Sequence, residues 1–322
     1  MSDFYFPFSA MLGQDRMKTG LLLNAINPRI GGLLIRGEKG SGKSTASRAM
    51  QHLLPEITVM LGCPFNCGPD DIGHACESCR LKIDRKEPLK LGRQRVPFVE
   101  LPVGATKDRI IGALEVAGEE HRVVKRLQFG LLARANRGIL YIDEVNMLGN
   151  ELIEPLLDSA VTGVNVVERD EASVRHPAAF ILVGTMNPEE GGLRPQLLDR
   201  FGLAVEVQRV KDLEVRAEVV DRRIQFEQNP VAFMERWAET EEQERHRIQQ
   251  ARELLPQVKI SDERRRLISR ICADEGTDGL RADLAIYKAS MTLAAYRQQT
   301  EVSDADIKDA AELALLHRTH RA

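Results

Sequence analysis

The sequence lacks the features that would assign it at once to several classes of protein. No apolar run approaches the roughly eighteen residues that cross a bilayer, and the start, MSDFYFPFSAMLGQDRMK, has no charged-then-apolar signal layout. The 322 residues carry a net charge of −3, without the basic surplus that is usual for nucleic-acid-binding proteins. These absences predict a cytoplasmic protein with no membrane span and no nucleic-acid partner.

Cysteine is also scarce, with five in the chain. Cytoplasmic cysteines are expected to be thiols or metal ligands rather than disulfides. Four of the five fall in CPFNCGPDDIGHACESC, and the spacing C-x3-C-x8-C-x2-C suits a tetrahedral thiolate site for structural zinc. The predicted zinc ligands are Cys63, Cys67, Cys76 and Cys79. An Fe–S cluster and a pair of redox-responsive disulfides are the alternatives, and His74 within the loop is an alternative ligand.

Five short apolar runs, each bounded by turn residues, indicate strands that are buried on both faces, as in a parallel sheet. The longer segments between them fit helical crossovers and predict an α/β fold. The alternating run GVNVVERDEASVRHP, residues 163–177, predicts a β-hairpin that projects from this body. The apolar runs occupy residues 31–37, 96–103, 138–144, 179–186 and 203–210.

After residue 210 the strand pattern ends and helical patterns take over. Ser261 is placed as a helix N-cap, and Ser303 with Asp306 matches a capping box that precedes an apolar helix face. We therefore predict an α/β domain over residues 1–210 and a helical domain over residues 211–322.

The stretch GEKGSGKST matches the phosphate-loop pattern G-x-x-x-x-G-K-[ST] and directly follows the first predicted strand. Glycines in such a loop let backbone N–H groups turn toward phosphate oxygens, and the helix that follows adds the positive end of its dipole. Lys43 would reach the β- and γ-phosphates of ATP, and the Ser44 hydroxyl would bind Mg²⁺. The predicted nucleotide-binding residues are Gly37, Glu38, Lys39, Gly40, Ser41, Gly42, Lys43, Ser44, Thr45 and Asp143.

Two carboxylates, Asp143 and Glu144, follow the third apolar run at the end of its predicted strand, where open α/β sheets bind ligands. Asp143 is predicted to join Ser44 in holding Mg²⁺, and Glu144 to polarise the attacking water. The fourth run delivers Asn187 near the γ-phosphate if its strand lies beside the third, where an amide can orient that water. Arg200, in LLDRFG, lies further along, and an arginine of this kind can be supplied by another subunit of a ring or oligomer.

The order of the phosphate loop, LYIDE, GTMNP and LLDRFG before a helical domain resembles that of the AAA+ ATPases. Longer stretches, such as LPVGATKDRIIGALEV and GLLARANRGILYIDEVNML, look like the ATPase I subunits of magnesium chelatases. The resemblance covers nearly all of residues 6–209 and also implies that residues 105–134 are an inserted helical hairpin. The motifs it implies are Walker A at residues 37–45, Walker B at Asp143 and Glu144, sensor 1 at Asn187, an arginine finger at Arg200 and sensor 2 at Arg281.

Members of that family form rings, commonly hexamers, pair with a related D subunit, and drive Mg²⁺ insertion into protoporphyrin IX held by a large H subunit. The resemblance implies the same self, D-type and H-type partners for this chain, with ATP and Mg²⁺ as cofactors. The four-cysteine loop departs from the plainest family members. A MoxR-like chaperone ATPase that remodels or metal-loads a partner, and a nucleotide-switched scaffold with negligible turnover, are the alternatives. Glu144 and Arg200 argue against the scaffold, which needs no water activation.

Overall fold

The computed structural model of the chain describes residues 4–102, 104–117, 124–169, 172–277 and 279–318. Eleven strands and twelve α-helices lie in these ranges. The strands are β1 (Leu33–Arg36), β2 (Ile57–Met60), β3 (Leu91–Gln94), β4 (Phe98–Leu101), β5 (Gly112–Ala117), β6 (Val124–Phe129), β7 (Ile139–Ile142), β8 (Val164–Arg169), β9 (Ala172–Pro177), β10 (Ile181–Met186) and β11 (Leu203–Glu206). The helices are α1 (Asp15–Ile26), α2 (Lys43–Leu53), α3 (Glu77–Asp84), α4 (Lys107–Ile111), α5 (Leu131–Ala135), α6 (Asn150–Thr162), α7 (Pro195–Leu198), α8 (Leu213–Gln228), α9 (Pro230–Leu254), α10 (Asp262–Asp274), α11 (Arg281–Tyr296) and α12 (Asp304–Leu315).

Five strands form one sheet in the order β11–β1–β10–β7–β4. β1 pairs in parallel with β10 and β11, and β4 pairs in parallel with β7. β7 and β10 are buried along their whole length, as expected for strands covered on both faces. The five predicted apolar runs are therefore the five strands of the sheet, and the predicted α/β fold is confirmed.

The register of β1 and β10 brings two predicted functional segments to one edge of the sheet. Arg36, the last residue of β1, pairs with Met186, the last residue of β10. The N–H of Gly37 continues the ladder and donates to the Met186 carbonyl at 3.0 Å. Because the two strands run in the same direction, the phosphate loop and Asn187 leave the sheet side by side.

After β11 the described chain is helical, apart from one isolated bridge between Lys259 and Glu301. α10 begins where Ser261 accepts a hydrogen bond from the N–H of Arg264, and α12 begins with the predicted capping box of Ser303 and Asp306. These caps satisfy N–H groups that the first turn of a helix leaves without partners. The predicted C-terminal helical region is confirmed.

The predicted helical hairpin over residues 105–134 is wrong in its central part. α4 and α5 are only five residues each, and the β5–β6 antiparallel hairpin lies between them. Two glycines at its base show why: a Cβ on Gly112 would lie 2.6 Å from the Gln128 carbonyl oxygen, and one on Gly130 would lie 2.3 Å from that of Ile110. The glycines let the hairpin begin and end in close backbone contact, which a continuous helix does not require.

The second hairpin lies where the sequence predicts it, since β8 and β9 pair antiparallel from Val164 opposite Pro177 to Arg169 opposite Ala172. β2 and β3 are not predicted from the sequence, and they form a separate antiparallel pair around the cysteine-rich loop. Both strands are four residues long and only partly buried, so their apolar pattern is weak.

The chain divides into two compact units, one of Met1–Pro55 with Val183–Ala322 and one of Glu56–Leu182. This division differs from the boundary predicted after residue 210, because α1 and α12 both pack against β11, which pairs with the phosphate-loop strand β1, so the C-terminal helices group with that strand. In the part of the chain that the structure describes, none of the helices combines the length and the apolar character needed to cross a membrane.

Candidate nucleotide and metal sites

The phosphate loop of the first unit connects β1 to α2. Gly40 and Gly42 take positive φ angles of 80° and 84°, a conformation that costs glycine little, and α2 starts directly after them at Lys43. The Lys43 ammonium donates to the carbonyl oxygens of Gly37 and Glu38, each at 2.6 Å. A cation held over this loop, with the N-terminus of an eleven-residue helix beside it, fits the phosphates of a nucleotide.

A cavity of about 1100 Å³ opens beside this loop, also in the first unit. The loop residues Gly37 to Gly42 and Thr45 line one side of it, and Asn187 lines it as well. Asn187 is 7% exposed, and its Oδ1 accepts a hydrogen bond from the N–H of Glu189 at 3.3 Å. The structure thus brings the predicted sensor amide and the phosphate loop to one cavity.

The rest of the cavity wall offers apolar and cationic side chains. Phe6, Met11 and Leu12 come from the N-terminal segment, and Val219 and Val220 come from α8. Apolar residues of this kind suit the flat base of a nucleotide, since ligand pockets combine an apolar lining with a few polar groups. The cationic residues of the wall are Arg209, Lys211, Arg216, Arg222 and Arg223.

Two ion pairs tie the loop to the strands that follow it in the sheet. Arg209, three residues after β11, donates to the Glu38 carboxylate through Nε at 2.8 Å. Lys39 lies 2.6 Å from a carboxylate oxygen of Glu190, in the turn that follows β10. All four side chains reach solvent, so each pair contributes little to stability and can exchange partners when a ligand binds.

The predicted arginine finger and sensor 2 lie apart from the residues that line this cavity. Arg200 follows α7 and is half-buried. Arg281, the first residue of α11, donates to Oδ2 of Asp199 at 2.7 Å. Burial works to raise the pKa of Asp199, but hydrogen bonds from Arg281 and Arg318 outweigh it and lower that pKa. Asp199, the residue before the predicted finger, is not among the functional residues predicted from the sequence.

The predicted Walker B carboxylates lie at the end of β7, in the second unit. Asp143 Oδ1 accepts a hydrogen bond from the Tyr141 hydroxyl at 3.1 Å. Glu144 has a φ of +51°, an uncommon angle for a residue with a side chain, and it starts the short 3-10 turn Val145–Met147. Backbone strain of this kind is concentrated at functional sites. Asp143 and Ser44 are oxygen donors of the type that Mg²⁺ prefers.

The second unit also assembles the four predicted thiol ligands. The Sγ atoms of Cys63, Cys67, Cys76 and Cys79 all lie within 4.8 Å of one another, and the last three cysteines are buried. The Sγ atoms of Cys63 and Cys76 are 3.8 Å apart. A tetrahedron of sulfurs about 2.3 Å from a central zinc has edges of about 3.8 Å, so the donor set fits a single tetrahedral ion.

Backbone donors support the sulfurs. The N–H of Phe65 donates to Cys63 Sγ at 3.4 Å, and the N–H of Cys76 donates to Cys67 Sγ at 3.2 Å. Hydrogen bonds with Cys67 and Cys76 lower the pKa of Cys63, whereas burial first and then the hydrogen bond with Cys63 raise the pKa of Cys79 to about 12. One sulfur is therefore predisposed to be a thiolate, the form that binds metal.

A small apolar cluster and an arginine enclose this site. Met60, Phe65 and Ala133 pack with the cysteines, while His74 stays outside at the surface, paired with Asp71. Arg137, just before β7, donates to the carbonyls of Thr58 at 2.6 Å and Asn66 at 3.0 Å. The sulfur set is thus closed, which is typical of structural rather than catalytic metal sites.

Two family models match the chain. The model for magnesium chelatase, subunit ChlI, matches residues 123–197, and the model for the AAA lid domain matches residues 265–322. A magnesium-chelatase subunit ChlI homolog from Methanocaldococcus jannaschii is 50% identical over 99% of this chain and 87% of that protein. The chain belongs to the magnesium-chelatase ChlI family. It is an ATPase of the AAA+ class, as its phosphate loop and lid predict.

Other members of the family agree with this assignment. Magnesium-chelatase subunit ChlI of Synechocystis is 47% identical over 98% of this chain and 88% of that protein. A chain in the cryo-EM-based structure of the complex between the magnesium-chelatase subunits BchI and BchD is 43% identical, with a TM-score of 0.56 and coverage of 99% and 97%. A putative ATPase from Cytophaga hutchinsonii is 16% identical, with a TM-score of 0.62 and coverage of 97% and 84%, and shares the fold.

Proposed function

We propose that this chain is the ATP-hydrolysing motor of a magnesium-chelatase-type complex, which drives insertion of a metal ion into a tetrapyrrole held by a partner subunit. Mg²⁺ is the metal that the names of its relatives indicate, and protoporphyrin IX is the tetrapyrrole that the family resemblance implies. The observation that carries the proposal is the cavity of the first unit, where the phosphate loop and Asn187 meet. The similarity to ChlI proteins over 98–99% of this chain supports the chelatase setting.

In this proposal ATP binds with its phosphates over the loop from Gly37 to Thr45. Lys43 exchanges its bonds with the loop carbonyls for bonds with phosphate oxygens, which are stronger because both partners are charged. Ser44 and Asp143 would hold Mg²⁺, which neutralises phosphate charge when bound. Asn187 orients a water molecule and Glu144 polarises it.

We further propose that the motor works as a ring, such as a hexamer, in which Arg200 acts on the nucleotide of the neighbouring subunit. Its position apart from the cavity-lining residues of its own first unit supports this role. Arg281 would report on the γ-phosphate from the start of α11. A D-type AAA+ subunit is the proposed ring partner, by analogy with the BchI–BchD complex, and a large H-type subunit the proposed holder of the tetrapyrrole.

We propose zinc for the four-cysteine site. Four sulfurs within 4.8 Å of one another leave room for one ion and too little for an Fe–S cube, and the five cysteines are free thiols. A structural ion there would stiffen the loop between β2 and β3. Metal binding rather than disulfide formation is expected if the protein is cytoplasmic, because thiols stay reduced there.

Reconstitution tests the chelatase function. The purified chain, combined with a D-type and an H-type subunit, protoporphyrin IX, Mg²⁺ and ATP, should produce the fluorescence of the magnesium porphyrin. Omission of this chain, or its replacement by Glu144→Gln, should abolish that signal. ATP hydrolysis with no insertion of Mg²⁺, Zn²⁺, Co²⁺ or Ni²⁺ would contradict the proposal and favour a motor that remodels a protein partner.

A further inference from the structure

A buried arginine near the C-terminus contacts the LLDRFG segment of the first unit. Arg318 follows α12 in the turn that ends the described chain, and its side chain is only 5% exposed. It donates through Nε to Oδ1 of Asp199 at 3.0 Å and through Nη1 to the Gly202 carbonyl at 3.0 Å. Through Nη2 it donates to the carbonyls of Asp199 at 2.8 Å and Phe201 at 2.6 Å.

These acceptors lie on both sides of Arg200. One guanidinium thus holds the backbone immediately before and after the proposed finger, as well as the carboxylate beside it. A planar group with five donors can bind several acceptors in fixed directions, which an ammonium cannot. A guanidinium that is buried must also have its donors satisfied, so these bonds cannot be lost without cost.

Other contacts restrict the same segment. His317 Nε2 lies 2.9 Å from the Phe201 carbonyl, and the N–H of Gly202 donates to the Gly31 carbonyl at 3.2 Å. A Cβ at Gly202 would lie 2.1 Å from the Ile30 carbonyl oxygen, so the backbone passes there without room for a side chain. The segment is fixed against the strand region on one side and the end of α12 on the other.

We propose that Arg318 is a positioning residue for Arg200. By fixing the backbone from Asp199 to Gly202, it aims the finger at the phosphate on which Arg200 acts. Through Asp199, which also pairs with Arg281, it connects the end of α12 to the start of α11. The inference rests on the proposed role of Arg200, and it adds a residue outside every predicted motif to the same reaction.

A double-mutant cycle tests the proposal, with steady-state ATP hydrolysis and nucleotide affinity measured for Arg200→Ala, Arg318→Ala and the double variant. A misplaced catalytic group costs on the order of 10²-fold, so Arg318→Ala should lower kcat by about that factor and leave nucleotide affinity within about threefold. In the Arg200→Ala background, Arg318→Ala should lower kcat by less than about twofold, because residues that act as a unit are not additive.

Two further variants separate positioning from folding. Arg318→Lys keeps the charge that Asp199 faces but cannot reach all the carbonyls, so it should remain at least about tenfold slow while the protein stays folded. Arg16→Ala is the matched control, because Arg16 is 70% exposed and its ion pair is with Glu312 of α12 rather than with Asp199. It should hydrolyse ATP at the wild-type rate.

The outcomes distinguish the two levels of the proposal. If Arg200→Ala is slow, three results would overturn the inference about Arg318 alone. These are a wild-type rate in Arg318→Ala, full activity in Arg318→Lys, and additive losses in the double variant. A wild-type rate in Arg200→Ala would overturn the role of Arg200 and the inference together. An Arg318→Ala protein that binds nucleotide normally and is slow only when Arg200 is present confirms it.

Discussion

The nucleotide cavity and the four-cysteine site are built in opposite ways. The phosphate loop is open to a large cavity and is held by exposed ion pairs and by Lys43, which bonds to the loop's own carbonyls. The sulfur site is closed, with three of its four cysteines buried and the nearby carbonyls bound by Arg137.

The difference follows from what each site has to do. A site that binds, converts and releases a ligand needs contacts that exchange easily, and weak exposed pairs provide them. A structural metal site gains from complete enclosure, because its binding energy contributes directly to folding. Substitutions in the first site should therefore change rates with little change in stability, and substitutions in the second should do the reverse.

The first prediction concerns the rate of hydrolysis and a large effect at Glu144. Glu144→Gln should bind ATP with near wild-type affinity but lower kcat about 10²- to 10⁴-fold, since it removes the base that polarises water. Lys43→Ala should weaken nucleotide binding as well. Equilibrium binding of a fluorescent ATP analogue and phosphate release measure the two quantities.

Glu154→Gln is the control for this experiment. Glu154 is an exposed carboxylate on α6 of the same unit, so the same chemical change there should leave both quantities unchanged. Turnover by Glu144→Gln within a few-fold of the wild type would show that another group activates the water.

The second prediction concerns stability. The purified chain should contain one zinc per chain, and Cys76→Ser with Cys79→Ser should release it and lower the melting temperature by about 10 °C, equivalent to roughly 3 kcal/mol. Nucleotide affinity should change little, because the phosphate loop belongs to the other compact unit. Cys272→Ser, at a buried cysteine outside the sulfur set, should keep its zinc.

Metal analysis and calorimetry measure these outcomes. If metal analysis finds one iron per chain, the tetrahedral site holds iron, and the assignment of zinc is wrong. Four freely reactive thiols and no metal would contradict the metal site. A loss of ATP binding together with zinc would contradict the separation of the two sites.

The smallest effect is expected at His317, and it depends on pH. Burial first, and then the charge of Arg318, lower the pKa of His317 from 6.5 to about 3. Below pH 6.5 the unfolded chain binds a proton there that the folded chain does not, so stability falls as the pH falls. Between pH 7 and pH 5 this group alone should cost roughly 2 kcal/mol of unfolding free energy.

His317→Gln removes this titration while its amide can still donate to the Phe201 carbonyl. The difference in unfolding free energy between the variant and the wild type should therefore shift by roughly 2 kcal/mol in favour of the variant from pH 7 to pH 5. Urea unfolding at several pH values measures it. A constant difference would show that His317 is protonated equally in both states.

The sequence predicted the parts of the molecule that depend on local pattern. The five sheet strands are continuous apolar runs, and the phosphate loop and helix caps have fixed spacings, so each was placed correctly. The four thiols were also correctly predicted to lie together. The β5–β6 hairpin was not predicted, because the family resemblance implies a helical hairpin over those residues; the local signal for the β-hairpin is the two glycines at its base.

The features that the sequence did not predict depend on long-range contacts. Arg318 lies 119 residues from Asp199 in the sequence, and nothing in LLHRTH marks it as different from an ordinary surface arginine. Only the fold, in which α12 packs against β11, brings it to LLDRFG. The one local signal was the acidic residue directly before Arg200, since a half-buried carboxylate requires a cationic partner.

The most direct test of the account is hydrolysis of ATP by mixed subunits. Arg200→Ala should bind ATP but hydrolyse it slowly, because an arginine supplied in trans is worth about 10³- to 10⁵-fold in phosphoryl transfer. Lys43→Ala should be inactive in its own site. In a mixture, the intact Arg200 of the Lys43→Ala chain can meet the intact phosphate loop of the Arg200→Ala chain, so activity should reappear and rise with protein concentration. A mixture as inactive as its components, with turnover independent of concentration, would contradict a ring in which neighbouring subunits complete each other's sites.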